Sequence, residues 1–83
     1  MDKKIEVEIF GEIYPLKSDG DSPYVRQIAA EVDRSMREIA QKTHSFSNGR
    51  IGVLAALDIA DRYFQLKKDY DELLELVEPR KKK

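Results

Sequence analysis

Residues 51–78 read IGVLAALDIADRYFQLKKDYDELLELVE, and this stretch decides the fold. It contains no proline, and its one glycine stands at the second position, so it predicts a long helix over 52–78 that ends before Pro79. The first half, as far as Phe64, is apolar on nearly every side, which indicates burial on several sides. The second half is mostly charged and keeps a single apolar row.

That apolar row runs along one side of the predicted helix, with members spaced 4, 3, 4, 3 and 4 residues apart. This is the heptad spacing of a coiled coil. The row, called the seam below, consists of Ile59, Tyr63, Leu66, Tyr70, Leu73 and Val77. A chain of this size has too little structure to cover both the apolar first half of the helix and the seam. We therefore expect a second copy to cover them.

The seam leaves several arrangements open. A dimer and a tetramer both satisfy the spacing, and so do parallel and antiparallel helices, because tyrosine does not specify any of these choices. The alternative to self-association is a monomer whose last helix folds back on the rest of the chain.

The N-terminal residues predict a β-hairpin. Apolar residues alternate with glutamate over 4–10, the pattern of a half-buried strand. A second β-rich run follows at 12–17, after Gly11, whose backbone freedom suits a tight turn. Pro15 has no N–H to donate to a neighbouring strand, so the second strand is expected at an edge of the sheet.

A helix is predicted to follow over residues 23–43. Ser22 suits the capping position and Pro23 the first helical position. Apolar residues then recur at spacings of three and four along one side, which is typical of an amphipathic helix. Turn-forming residues follow, and Ser47 or Asn48 is expected to cap the last helix.

These elements indicate the α+β class: an N-terminal β-hairpin, one amphipathic helix and a long C-terminal helix ending in a short coiled coil. We divide the 83 residues into a globular head at 1–64, a coiled-coil extension at 65–78 and a basic tail at 79–83. There is no cysteine and only one histidine. Disulfides are therefore excluded, and a tetrahedral zinc site has almost no ligands to draw on.

Charge and hydropathy point to a cytoplasmic protein. Charged residues make up 37% of the chain, with a net charge of −1. The residues from Arg80 to Lys83 are all basic, so the remainder is acidic and unsuited to a broad nucleic-acid-binding face. The tail is interpreted as a solvated terminus, with contact to RNA, DNA or lipid as the alternative. No signal peptide and no membrane span are expected, because no sufficiently long apolar run occurs.

No set of residues suggests catalysis. His44 stands alone in a loop, without a nucleophilic cysteine or a nearby carboxylate in sequence. Asp58 and Arg62 lie one helical turn apart and are expected to form an ion pair. We predict a protein that is not an enzyme and has no cofactor, metal or small-molecule substrate.

Four segments, in this order, resemble the ZapA family of bacterial cell-division proteins. The first is a strand that ends in Ile9-Phe10-Gly11, and the second is the Tyr14-containing strand. The first helix holds the third segment, from Tyr24 to Ile39, and the last helix holds the fourth, from Val53 to Asp61. The resemblance covers about residues 5–74, and the C-terminal helix is similar to that of the shorter members.

The resemblance implies a function that periodicity alone does not. Family members bind FtsZ, the tubulin-like protein of the division ring, and promote bundling of its filaments as dimers or tetramers. It implies a location at the division septum and an FtsZ-contacting surface on the head. Some members carry basic residues in the second strand, where this chain has Glu12 to Pro15. Candidate contacts are therefore assigned to exposed head positions, namely Arg37, His44 and Arg50. A generic adaptor dimer with another partner is the remaining alternative.

Overall fold

The computed structural model describes residues 3–18, 22–44 and 46–77. They form a hairpin followed by two helices, which confirms the α+β class. The elements are β1 (Lys3–Ile9), β2 (Glu12–Ser18), α1 (Ser22–Lys42) and α2 (Asn48–Val77). The predicted stop at Pro79 and the basic tail lie outside the described residues.

The hairpin closes through a two-residue turn. β1 and β2 pair antiparallel, and Ile9 and Glu12 are the partners next to the turn. Phe10 (φ 52°) and Gly11 (φ 84°) both have positive φ values, as a type I′ turn requires. Phe10 therefore belongs to the turn and not to the first strand, where the prediction had placed it. Pro15 lies on an edge strand as expected, because the sheet of the described residues has two strands.

Helix α1 covers one half of the inner face of the hairpin. Ile5 and Val7 of β1 are buried together with Ala29 of α1, and they form the core of the head. Tyr14 and Leu16 stand opposite them on β2, on the same face, yet remain 43% and 38% exposed. The helix therefore lies over β1 and leaves the inner face of β2 uncovered.

Helix α2 begins earlier than the sequence suggested. The Ser47 hydroxyl accepts a hydrogen bond from the Arg50 amide at 3.2 Å, so Ser47 is the capping residue. The helix starts at Asn48 and includes Gly49, which had been placed in the turn before the helix. A Cβ at Gly52 would lie 3.9 Å from Met36 of α1, so the two helices run close together there.

A single chain buries one side of α2. Ile51 and Ala55 are buried where α2 packs against α1. Val53, Leu57 and Phe64 are each more than 60% exposed on other sides of the helix. The burial on several sides that the apolar first half predicted is therefore not supplied by this chain itself.

The overall dimensions are those of an elongated molecule and not of a compact domain. The radius of gyration is 17.4 Å and the extents are 51 × 41 × 17 Å. A compact domain of this length has a radius of gyration of about 12 Å. Within the described ranges, neither helix carries an apolar stretch long enough to cross a membrane.

Candidate functional site

The seam forms a continuous apolar row that the single chain leaves in contact with solvent. Five of its side chains are more than half exposed, and Ile59, at the end nearest α1, is half-buried. The exposed members are Tyr63, Leu66, Tyr70, Leu73 and Val77. Lys67 and Asp71 form an ion pair beside the row, at 3.6 Å. A row of this composition, flanked by charges, is suited to pairing with another helix.

A second apolar row lies on another side of α2, and the sequence analysis did not separate it from the first. Val53, Leu57, Ala60 and Phe64 are all exposed and also follow spacings of four and three. The rings of Tyr63 and Phe64 meet edge to face at 5.1 Å, and so connect the seam to this row. The head therefore offers apolar surface on more than one side of α2.

A polar cluster fixes how α2 crosses α1. The Ser35 hydroxyl, 1% exposed, donates a hydrogen bond to Asp58 at 2.8 Å. Arg62 donates to Asp58 at 3.2 Å, which confirms the predicted ion pair, and also donates to Glu31 of α1. Arg34 pairs with the same Glu31 carboxylate.

The cluster holds its carboxylates in the charged state. The hydrogen bond from Ser35, followed by the charge of Arg62, lowers the pKa of Asp58. Hydrogen bonds from Arg62 and then Arg34 lower the pKa of Glu31. Ser35 and Glu31 were missed by the sequence analysis, because a serine and a glutamate within an amphipathic helix resemble ordinary polar positions.

Asp33 ties α1 to the tip of the hairpin. One carboxylate oxygen accepts a hydrogen bond from the Phe10 amide at 2.7 Å, and the other accepts one from Arg37 at 2.9 Å. The Phe10 bond, followed by that of Arg37, lowers the pKa of Asp33. A phenylalanine at positive φ is unfavourable, and the bond to Asp33 helps to hold this turn in place.

Replacing Asp33 with alanine is expected to destabilise the fold by about 1.5–3 kcal/mol, the usual contribution of a hydrogen bond to a charged group. The pKa of the Asp33 carboxyl is lowered in the folded protein. The carboxylate therefore stabilises the fold at pH values above about 4, which is the pKa of this group in the unfolded chain. That contribution is lost as the pH falls through the lower native pKa. Urea unfolding at pH 3 to 7 measures both effects.

Asp33→Asn is the matched control for that measurement. It keeps an acceptor for the Phe10 amide but removes the charge, so it should be more stable than Asp33→Ala. The difference in unfolding free energy between the unaltered protein and Asp33→Asn should shrink as the pH falls below about 4. Equal stability of Asp33→Ala and the unaltered protein at pH 7 would contradict this role.

Two of the three predicted partner contacts lie together. Arg37 and His44 line a shallow hollow of about 380 Å³ with Phe10 at the tip of the hairpin. Arg50 is not part of this hollow, and its guanidinium lies over the Phe46 ring, 5.0 Å from the centroid. Of the three, Arg37 already pairs with a carboxylate, that of Asp33. No group of three or more histidine, aspartate or glutamate side chains that could hold a metal ion occurs within 3–18, 22–44 and 46–77.

Comparison with known sequences gives one consistent result. A sequence profile described as cell division protein ZapA matches residues 5–83. A cell division protein ZapA from Geobacillus sp. (strain WCH70) is 33% identical over 78 residues, covering 94% of this chain and 90% of the relative. Another from Bacillus thuringiensis (strain Al Hakam) is 36% identical over 72 residues, covering 87% of this chain and 81% of the relative.

Comparison with solved structures agrees. The fold is similar to that of a ZapA mutant dimer from Geobacillus stearothermophilus, with a TM-score of 0.71 and 30% identity. The match covers 93% of this chain and 90% of that one. The hairpin and both helices are thus shared along nearly the whole length. This chain belongs to the ZapA family of cell division proteins.

Proposed function

We propose that the protein binds FtsZ in the cytoplasm at the division septum and crosslinks FtsZ filaments as a homo-oligomer. Membership of a cell-division family and the uncovered seam together carry this proposal. A molecule made of identical chains presents the same binding surface more than once. It can therefore hold two filaments side by side, and repeated weak contacts along a filament add in avidity.

The seam is the proposed route to the oligomer. The residues from Ile59 to Val77 would pair with those of a second copy, with 1–64 as the head and 65–78 as the extension. Each large apolar side chain that becomes fully buried contributes about 1.5–3 kcal/mol before ordering costs. The related ZapA mutant from Geobacillus stearothermophilus is described as a dimer, which supports self-association in this family.

A fold-back monomer has less support. Helix α2 packs mainly against α1 and not against the hairpin. Every described residue from Ala60 to Leu73 is exposed, so this part of α2 extends past the rest of the chain. We therefore favour a second copy as the cover of the seam.

The head is the proposed FtsZ-contacting region, with Arg37, His44 and Arg50 as the candidate residues. The hollow next to the hairpin tip brings the first two to one place. It lies away from the seam in sequence, so oligomerisation and FtsZ binding would use separate parts of the chain.

FtsZ polymerised with GTP provides the test. Adding equimolar protein should raise light scattering and the fraction of FtsZ that sediments at low speed, because bundles are larger than single filaments. A monomeric variant should lack this effect even if its head still binds. Unchanged scattering and sedimentation with the unaltered oligomer would refute the proposal and favour an adaptor with another partner.

A further inference from the structure

The outer edge of β1 is not paired with another strand of the described residues, and it lies beside a groove. Ile9 and Glu12 flank a two-residue turn and so exchange hydrogen bonds with each other. The backbone groups of alternate residues then point the other way, away from β2, at Lys4, Glu6 and Glu8. The Arg26 guanidinium donates a hydrogen bond to the Glu6 carbonyl from outside the sheet, as this orientation requires.

The two edges of the hairpin differ. On β2 the outward residues are Ile13, Pro15 and Lys17. Pro15 has no N–H, so this edge lacks one of the donors that an added strand would need. On β1 every outward residue keeps its N–H. The hydrogen bond from Arg26 is 3.3 Å long and solvent-exposed, so it is readily displaced.

A groove of about 370 Å³ lies at this edge, and residues of β1 and α1 line it together with Ile13 of β2. Val7 and Ala29, both buried, lie at its base, and Ala30 on the helix side is small enough to leave room. Glu6 and Glu8, both exposed, line its strand side, and Arg26 lines it on the helix side. A groove between an edge strand and a helix is the geometry in which proteins bind an extended peptide as an added strand.

We propose that this groove binds an extended segment of a partner protein in which cationic and apolar residues alternate. Main-chain groups of the segment would pair with those of Glu6 and Glu8. One side of the segment would place cations beside the two carboxylates, and the other would place apolar side chains against Val7 and Ala30. Opposite charges on neighbouring strands stabilise a sheet.

A second copy of β1 does not fit this edge. Symmetric pairing of two β1 strands keeps their inner faces on the same side, so each strand would carry its own α1 there. Neighbouring strands lie about 4.8 Å apart, whereas packed helices need about 8–10 Å. In the register that lets the outward backbone groups of both Glu6 and Glu8 form hydrogen bonds, Glu6 of one strand stands opposite Glu8 of the other. The two carboxylates would repel each other. A segment without its own helix avoids both problems.

The test uses the full chain and a blocked six-residue peptide in which lysine and valine alternate. Amide resonances of Glu6 and Glu8 should shift on titration, and fluorescence anisotropy should give saturable binding. The same peptide with N-methylated backbone positions keeps its charge but loses its donors. It should bind about tenfold more weakly, as the loss of one or two hydrogen bonds predicts.

Protein variants separate charge from backbone pairing. Glu6→Lys with Glu8→Lys should weaken binding by about tenfold or more, because cations would then face cations. Glu8→Pro removes an outward N–H together with the Glu8 carboxylate, so its reference is Glu8→Gln, which removes only the charge. Glu8→Pro should bind more weakly than Glu8→Gln, whereas Lys17→Pro on β2 should bind as the unaltered protein does. Circular dichroism confirms that each variant is folded, and the N-methylated peptide gives the same information without altering the protein.

Several results would overturn this proposal. The first is an absence of binding at millimolar peptide, and the second is equal binding of the N-methylated and unmethylated peptides. The third is a set of amide resonance shifts confined to β2. Shifts of the Glu6 and Glu8 amides with protein concentration alone would identify a second copy as the occupant and would also overturn it. Because the probe is a synthetic peptide, these results are independent of FtsZ bundling.

Discussion

We expect the double variant Leu66→Asp, Leu73→Asp to be monomeric at concentrations where the unaltered protein is an oligomer. Each leucine that is fully buried in the seam contributes about 1.5–3 kcal/mol. A dimer buries four of them, so their loss alone approaches the free energy of a micromolar association. The new carboxylates would also be buried without partners, which adds a further cost. Sedimentation equilibrium over a concentration series measures the change.

Lys68→Asp is the matched control for that experiment. It changes the net charge by the same amount as the two leucine substitutions together, yet Lys68 lies opposite the seam in the heptad. Its mass in solution should equal that of the unaltered protein. The leucine variant should also fail to bundle FtsZ, while the lysine variant should not lose this activity. An oligomeric leucine variant would mean that the chains associate through another surface, with the Val53 to Phe64 row as the next to examine.

The second large effect is expected at Ile51, the buried anchor of α2. Ile51→Ala should lower the free energy of unfolding by about 2–5 kcal/mol, because it removes buried methyl groups and leaves a cavity. A domain of this length has a total stability of about 4–12 kcal/mol. The variant should therefore be partly unfolded at room temperature, or its melting temperature should be much lower than that of the unaltered protein. Urea unfolding at a fixed protein concentration measures it, since association adds to apparent stability.

Ile51→Val is the control because it removes one methylene group and keeps the shape. It should cost about 0.5–1.5 kcal/mol. A clear difference between the two variants is the expected result. Equal stability of Ile51→Ala and Ile51→Val would show that the contact between α1 and α2 at this position contributes little.

Local patterns in the sequence were enough to predict the elements. Three patterns could be recognised directly in the sequence because each depends on residues only a few positions apart. They are the alternation over 4–10, the spacing of three and four in α1, and the heptad spacing of the seam. The pair of Asp58 and Arg62 was predictable for the same reason, since its members lie one turn apart.

Contacts between elements were not predictable in this way. The bond of Asp33 to Phe10 joins residues 23 positions apart, and so does that of Ser35 to Asp58. The residue type does not indicate the partner in either case, because serine and aspartate within a helix usually face water. The start of α2 was misplaced because Asn48 and Gly49 favour turns in isolation. The Ser47 cap and the close packing near Met36 override that tendency.

Because α2 is continuous from the head into the extension, its contacts with the head fix the direction in which the seam faces. The bond of Ser35 to Asp58 fixes one face of the helix on the head, and the seam begins at the next residue, Ile59. The helix continues to Val77 without another glycine or proline. One residue added between Asp58 and Leu66 would turn the rest of the seam by about 100°, whereas seven would turn it by about 20°. This part of the chain can therefore change length only in whole heptads if the head and the seam are to stay in phase.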